Sequence, residues 1–258
     1  MDSVPALIVV PVRAEREDEF EPILQTLASV RATAPEAMVL VVDDRSPEQH
    51  ARMIEIAAEE LDCAYVLQQD GEGRSAAINV GLSAGYEHGM DVCLVASGLV
   101  LDSAGWLDRL RARTGTDGNP VAIAGGAVVE STGLIRQAGY FFSLFRRLWS
   151  ARLGNVPQEV LDAQSALVCP VSSELQLIRR EWVERVGLYD ELLDGPHAGL
   201  DFCLRVSEAG GECVFEPSVR ARALSFSDGE PDDTTPSARR LRVKHVGVNF
   251  KQWVPEVI

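Results

Sequence analysis

The chain has 258 residues, 46% of them hydrophobic, enough for one large α/β domain or two small ones around a sizeable core. With 24 Lys and Arg against 39 Asp and Glu its net charge is -15, which repels polyanions and argues against nucleic acid or an anionic membrane surface as the main partner. No apolar stretch reaches the length of a membrane span, and Met1-Asp2-Ser3-Val4-Pro5 lacks the basic start and apolar run of a signal peptide, so a soluble, cytoplasmic protein is expected.

The first expected element is a strand over 6–10, after which Phe20, Ile23, Leu24, Leu27 and Val30 recur at helical spacing. Met38-Val39-Leu40-Val41-Val42 is a continuous apolar run of the kind buried in a parallel sheet, and it ends on Asp43 and Asp44, where strand becomes loop. Ser46, Pro47 and Gln49 read as a Ser-x-x-Gln capping box that starts a helix running to about Leu61. A strand over 63–67 follows, then a helix from Arg74 to about His88 with Ala77, Ile78, Gly81 and Leu82 on one face, then a strand over 91–96. Repeated strand-helix units imply a parallel sheet with right-handed crossovers, a nucleotide-binding type of architecture. Open sheets of this kind bind ligands at the carboxyl ends of their strands, which singles out Asp43 and Asp44; the alternative is that both only shape the turn and favour the helix start.

From about Gly115 the alternation stops. Apolar pieces at 121–124, 127–129, 166–169 and 175–178, separated by Gly and Ser, predict antiparallel strands added to the same sheet, before a helix from Leu200 to Ala209 closed by Gly210. Residues 227–237 read as a flexible acidic loop, and Arg239-Arg240-Leu241-Arg242-Val243-Lys244-His245 forms a basic segment. Cys63, Cys93, Cys169, Cys203 and Cys213 are odd in number and lack metal-ligand spacing, so they read as reduced core residues.

Several weak motifs stand in a fixed order: Ile8-Val9-Val10-Pro11-Val12, Val41-Val42-Asp43-Asp44-Arg45-Ser46, and Glu72-Gly73-Arg74-Ser75-Ala76-Ala77-Ile78-Asn79-Val80-Gly81-Leu82. Asp102-Ser103-Ala104-Gly105-Trp106-Leu107, Gly133-Leu134-Ile135-Arg136-Gln137-Ala138-Gly139, Leu177-Ile178-Arg179-Arg180, Gly187-Leu188-Tyr189-Asp190-Glu191 and Asp201-Phe202-Cys203-Leu204-Arg205 follow. On these segments, over roughly residues 5 to 225, the chain resembles the family-2 glycosyltransferases, which have the GT-A fold; order rather than any one motif gives the match its specificity. The resemblance implies a single α/β domain with a Rossmann-like, mixed but mainly parallel sheet flanked by helices. Residues 1–114 would be its nucleotide-binding half, 115–226 its acceptor-side half with antiparallel additions, and 227–258 the acidic loop and basic segment.

For the donor, the resemblance implies a UDP-, GDP- or dTDP-linked sugar. Asp44 would accept from a uracil or guanine ring N–H, Pro11 and Arg13 would line the base and ribose, and Arg74 would contact base or diphosphate, with Asp43, Ala96 and Gly98 completing the set. The acceptor, a glycan, protein or small molecule, is open.

The pattern breaks where the family does its chemistry. Its DxD metal motif falls on Ala96-Ser97-Gly98, none of which is a carboxylate ligand for Mg or Mn, so no metal site is expected. The acidic pair that supplies its general base falls on Ala198 and Gly199, although Asp201 remains. A histidine expected about six residues after Glu216-Pro217 is missing from Ser218-Val219-Arg220-Ala221-Arg222-Ala223-Leu224. Asp201, His197 and Asp190, with Asp194, are the candidate substitute bases, and residues 239–244 either fold over the donor to neutralise it or form a solvated helix face.

Two functions follow: a glycosyltransferase working without the usual metal, or a catalytically inactive GT-A pseudoenzyme serving as a binding or assembly module. The second expects an oligomer or larger complex and an exposed aromatic face, for which Tyr140, Phe141, Phe142, Phe145 and Trp149 are the candidates. A nucleotidyltransferase would need a Gly-rich loop after the first strand, and residues 12–18 contain no glycine.

Overall fold

The computed structural model describes residues 5–114, 118–143, 148–224, 231–232 and 234–246. The alternating half consists of β1 (Ala6–Val12), α1 (Phe20–Thr33), β2 (Met38–Asp43), α2 (Glu48–Glu60), β3 (Ala64–Leu67), α3 (Arg74–Glu87) and β4 (Asp91–Val95). It continues with β5 (Leu99–Val100), α4 (Trp106–Thr114), β6 (Val121–Val129), β7 (Ile135–Gln137), β8 (Tyr140–Ser143), β9 (Leu148–Ala151), β10 (Leu167–Val168) and β11 (Leu175–Ile178). Then come α5 (Arg180–Val186), α6 (Gly195–Glu208), β12 (Glu212–Ala223) and α7 (Pro236–Lys244).

One sheet joins both halves in the order β10-β12-β6-β11-β4-β1-β2-β3. β3, β2, β1 and β4 are parallel, β11 is antiparallel to both β4 and β6, and β12 returns parallel to β6. Alternation of Cβ direction explains the layering. Leu7 and Val9 of β1 pack with Ala77, Ile78 and Leu82 of α3, while Ile8 and Val10 pack with Ile23 and Leu27 of α1 on the opposite face. Gly81 lets α3 sit hard against the sheet, because a Cβ there would lie 2.4 Å from Val9 Cγ1. That close contact fixes the N-terminus of α3 over the strand ends.

Several expectations needed revision. Ser46 does not cap α2, whose N-cap is Pro47 without a side-chain bond; its Oγ accepts instead from the Ala14 N–H at 2.9 Å, tying the β2 exit to the β1 exit. The two apolar pieces at 121–124 and 127–129 form one strand, β6, since Gly125 and Gly126 face Val171, Leu175 and Val219 too closely for any Cβ. α6 begins at Gly195, ahead of the expected Leu200. β12 was not legible: Glu216-Pro217 reads as a break, and the strand absorbs it as a register shift between Phe215 and Arg220.

All five cysteines are free and buried. Tyr140 and Trp149 are buried in the core, and Phe141 and Phe142 are half-buried with Phe142 edge-on to Trp149 at 5.4 Å, so these four do not form an exposed aromatic face; Phe145 lies outside the described residues. Residues 227–230 and 233 of the expected acidic loop also lie outside them. Among the described residues no helix is long and apolar enough to cross a membrane.

Candidate functional site

A cavity of about 520 Å³ opens at the carboxyl ends of β1, β2 and β4, and Pro11, Arg13, Asp44, Arg74, Ala96 and Gly98 all line it. The segments meet because β1 and β2 run in register to Val12 and Asp43, where the Asp44 N–H bonds Val12 O at 2.8 Å. Asp44 is 5% exposed. Its Oδ1 accepts from the Gly73 N–H at 3.0 Å and from Gln68 Nε2 at 3.5 Å, and its Oδ2 accepts from Arg13 at 3.5 Å. Gly73 makes its bond from φ +89°, a conformation that glycine alone adopts cheaply, and α3 starts immediately behind it with Arg74. Arg74 Nη2 donates to Ser173 O at 3.1 Å, which holds this arginine between the cavity and the loop before β11. Arg13 also donates to Glu15, and that bond, outweighing partial desolvation and joined by the charge of Asp44, raises its pKa above the ordinary value.

Asp43 is not brought to this wall. Its side chain is fully buried, with Oδ1 accepting from the Ser46 N–H at 2.8 Å and Oδ2 from the Tyr65 hydroxyl at 2.9 Å, so it shapes the turn. Adjacent residues at a strand end point in opposite directions, and only one of the two carboxylates reaches the cavity.

The wall where a DxD motif would stand offers no ligand set. The Ala96 N–H bonds Glu174 O at 2.7 Å, and Gly98, at φ +83°, donates its N–H to Thr26 Oγ1 at 2.9 Å. The acids that do line the cavity are already engaged: Glu19 accepts from the Glu15 and Arg16 N–H groups, Arg16 pairs with Asp18 and Glu19, and Asp44 is bonded as described. Among the described residues no group of three or more His, Cys, Asp or Glu is placed to hold a metal. Hard divalent cations need several charged oxygens converging on one point, and these residues do not fit such an ion.

The candidate substitute bases lie away from the cavity wall. Gly199 packs on Ser173, where a Cβ would lie 3.1 Å from both Cβ and Oγ of the serine, so any side chain there crowds Ser173. Asp201 is fully buried; its Oδ1 lies 2.8 Å from Lys244 Nζ and 2.9 Å from His245 Nε2, and its Oδ2 accepts from Arg205 at 2.8 Å. Burial by itself raises this carboxyl, but the bonds from His245 and Lys244 and the charge of Arg205 outweigh it and bring the pKa down to about 2. Such a group is a weak proton acceptor. Asp190 accepts from Arg240 at 3.1 Å and Lys244 at 3.0 Å, and these bonds overcome its partial burial and lower its pKa too. His197 is buried in the first turn of α6, its N–H bonded to Asp194 O.

Residues 7–86 match the family model for Glycosyl transferase family 2. GalNAc-T7, solved with UDP, GalNAc and Mn2+, shares the fold with a TM-score of 0.67 at 17% identity over 94% of this chain and 48% of that one. The mannosyltransferase PcManGT from Pyrobaculum calidifontis, in complex with GDP-Man and Mn2+, gives 0.56 at 15% over 95% and 63%. The chain has a GT-A fold and resembles the family-2 glycosyltransferases. Residues 1–349 of S. aureus TarS agree, at 0.59 and 15% identity over 96% and 67%. The chain spans about half the length of the GalNAc-T7 chain it matches. No curated protein sequence matches it.

Within this GT-A fold, motif reading did not single out Arg16, Gly73 or Ser173 as site residues. Arg16 carried a faint signal, a second cation three residues beyond Arg13 after the first strand. The basic segment was visible, but it does not line the cavity; its Arg240 pairs with Asp190 and its Lys244 with both Asp190 and Asp201.

Proposed function

We propose that the chain binds a nucleotide sugar in the cavity at the carboxyl ends of β1, β2 and β4, without a divalent metal. The observation that carries this reading is Asp44: a nearly buried carboxylate on the cavity wall, its oxygens oriented by Gly73, Gln68 and Arg13, chemically suited to accept from a ring N–H of uracil or guanine. Arg13, Arg16 and Arg74 supply the cations beside it, and guanidinium suits phosphate oxygens.

Transfer of the sugar to a hydroxyl needs a base, and here a second reading has its own support. With Gly199 packed on Ser173 and both Asp190 and Asp201 held in ion pairs, neither of those two carboxylates is poised to take a proton, which favours a binding module that does not turn over its ligand. Titration of the protein with UDP, GDP and dTDP, and with their sugars, in chelator and in Mn, tests both. The expected outcome is metal-independent thermal stabilisation by one nucleotide class with no sugar released or transferred. Binding that strictly requires Mn, or no binding at all, defeats the first reading, and turnover in chelator defeats the second.

A further inference from the structure

We propose that α7 is a clamp that sets the geometry of the donor cavity through residues 189–194, so that Asp190 is a positioning residue rather than a base. The proposal rests on reading the cavity as a nucleotide site.

Residues 189–194 lie between α3 and α7 and are bonded alternately to each. Toward α3, Asn79 Oδ1 accepts from the Tyr189 N–H at 2.8 Å, Asn79 Nδ2 donates to Tyr189 O at 3.1 Å and to Glu191 Oε1 at 2.9 Å, and Ser75 Oγ donates to Leu193 O at 3.1 Å. Toward α7, Asp190 accepts from Arg240 and Lys244, and the Asp194 N–H donates to Ser237 Oγ at 2.9 Å. Residues 189, 191 and 193 thus hold α3, while 190 and 194 hold α7. Residues 190–193 close a turn through the Leu193 N–H to Asp190 O at 3.0 Å, which folds this short connection between the two helices.

Ser75 and Asn79 stand four apart on one face of α3, and Arg74, the first residue of that helix, lines the cavity. The segment includes neither strand nor helix, so these bonds fix where it sits. α7 is itself anchored beneath: Thr235 caps it by accepting from the Ala238 N–H, Leu241 is buried, and Lys244 and His245 reach the fully buried Asp201 of α6. Lys244 spans both carboxylates, which makes the α7 anchor and the grip on the segment one unit. Release of α7 removes the outer set of bonds and leaves residues 189–194, which bond the N-terminal turns of α3, without their anchor on the far side.

The test uses the full chain with Arg240→Gln plus Lys244→Gln, both partly exposed positions, and with Asp190→Asn as a second variant. Amide hydrogen exchange is read in segments 74–79, 189–194, 234–246 and 6–12, and UDP and GDP affinity is measured in chelator. Expected are faster exchange in 74–79 and 189–194 with 6–12 unchanged in both variants, and nucleotide binding weakened about fivefold or more, the range of ordinary site-to-site coupling. Faster exchange confined to 234–246, or unchanged nucleotide affinity alongside faster exchange in 74–79, overturns the clamp. Should the unmodified protein bind neither nucleotide, the cavity reading fails by itself, and the exchange pattern still decides whether α7 holds α3.

Discussion

Gly199 touches Ser173 so closely that a Cβ on the glycine would lie 3.1 Å from the serine Cβ and Oγ and 3.4 Å from its nitrogen. The same Ser173 accepts from Arg74 through its carbonyl. One residue therefore bridges Gly199 of α6 and the cavity-lining Arg74. Gly199→Asp is expected to lose about 1–3 kcal/mol by overpacking, and addition of Ser173→Gly recovers part of that loss. Denaturant midpoints of the single and double variants measure it, and equal loss in both would show that the contact is not the cause.

Asp44→Asn keeps an oxygen for the Gly73 N–H and removes the charge from the cavity. A charge-assisted bond to a ring N–H is worth about 1.5–3 kcal/mol, so nucleotide affinity should fall at least tenfold while the unfolding midpoint moves little. Calorimetric titration beside a melting curve separates the two effects.

Asp201 gives a defined acid limb. Its folded pKa of about 2 lies below the value of about 3.9 for an unfolded aspartate. A depressed carboxyl stabilises the fold above the unfolded value, and that stabilisation is lost as pH falls from about 4 toward about 2. Asp201→Asn leaves Lys244, His245 and Arg205 around an uncharged partner, and costs about 3–5 kcal/mol at neutral pH. The stability difference between the two proteins should shrink over that acid range, read as denaturant midpoints at a series of pH values.

Gly73→Ala isolates backbone strain, since at φ +89° a Cβ would meet nothing within 4 Å. The expected cost is about 1–2 kcal/mol with weaker nucleotide binding, because the Gly73 N–H orients Asp44. A variant as stable as the parent, with unchanged affinity, would mean that the turn tolerates the residue and that this bond does not set the site.

The sequence by itself determined the alternating half. The apolar runs of β1, β2 and β4 and the helical spacing of α1 and α3 are local patterns, and the strand-end position of Asp44 and the helix-start position of Arg74 follow from them. It also shows that Ala96-Ser97-Gly98 and Ala198-Gly199 carry no carboxylate, because that is a matter of residue type. What required the tertiary structure were relations that no period encodes. Asp43 and Asp44 are neighbours with opposite surroundings, one bonded to Tyr65 and one to Gly73, and only the packing of β3 and α3 separates them. Asp190 and Asp201 are reached by α7 residues 43 to 54 positions further along the chain. Ion pairs over such separations leave no spacing signal; they exist because the sheet brings α3, α6 and α7 to one side, and that placement turned candidate bases into anchors.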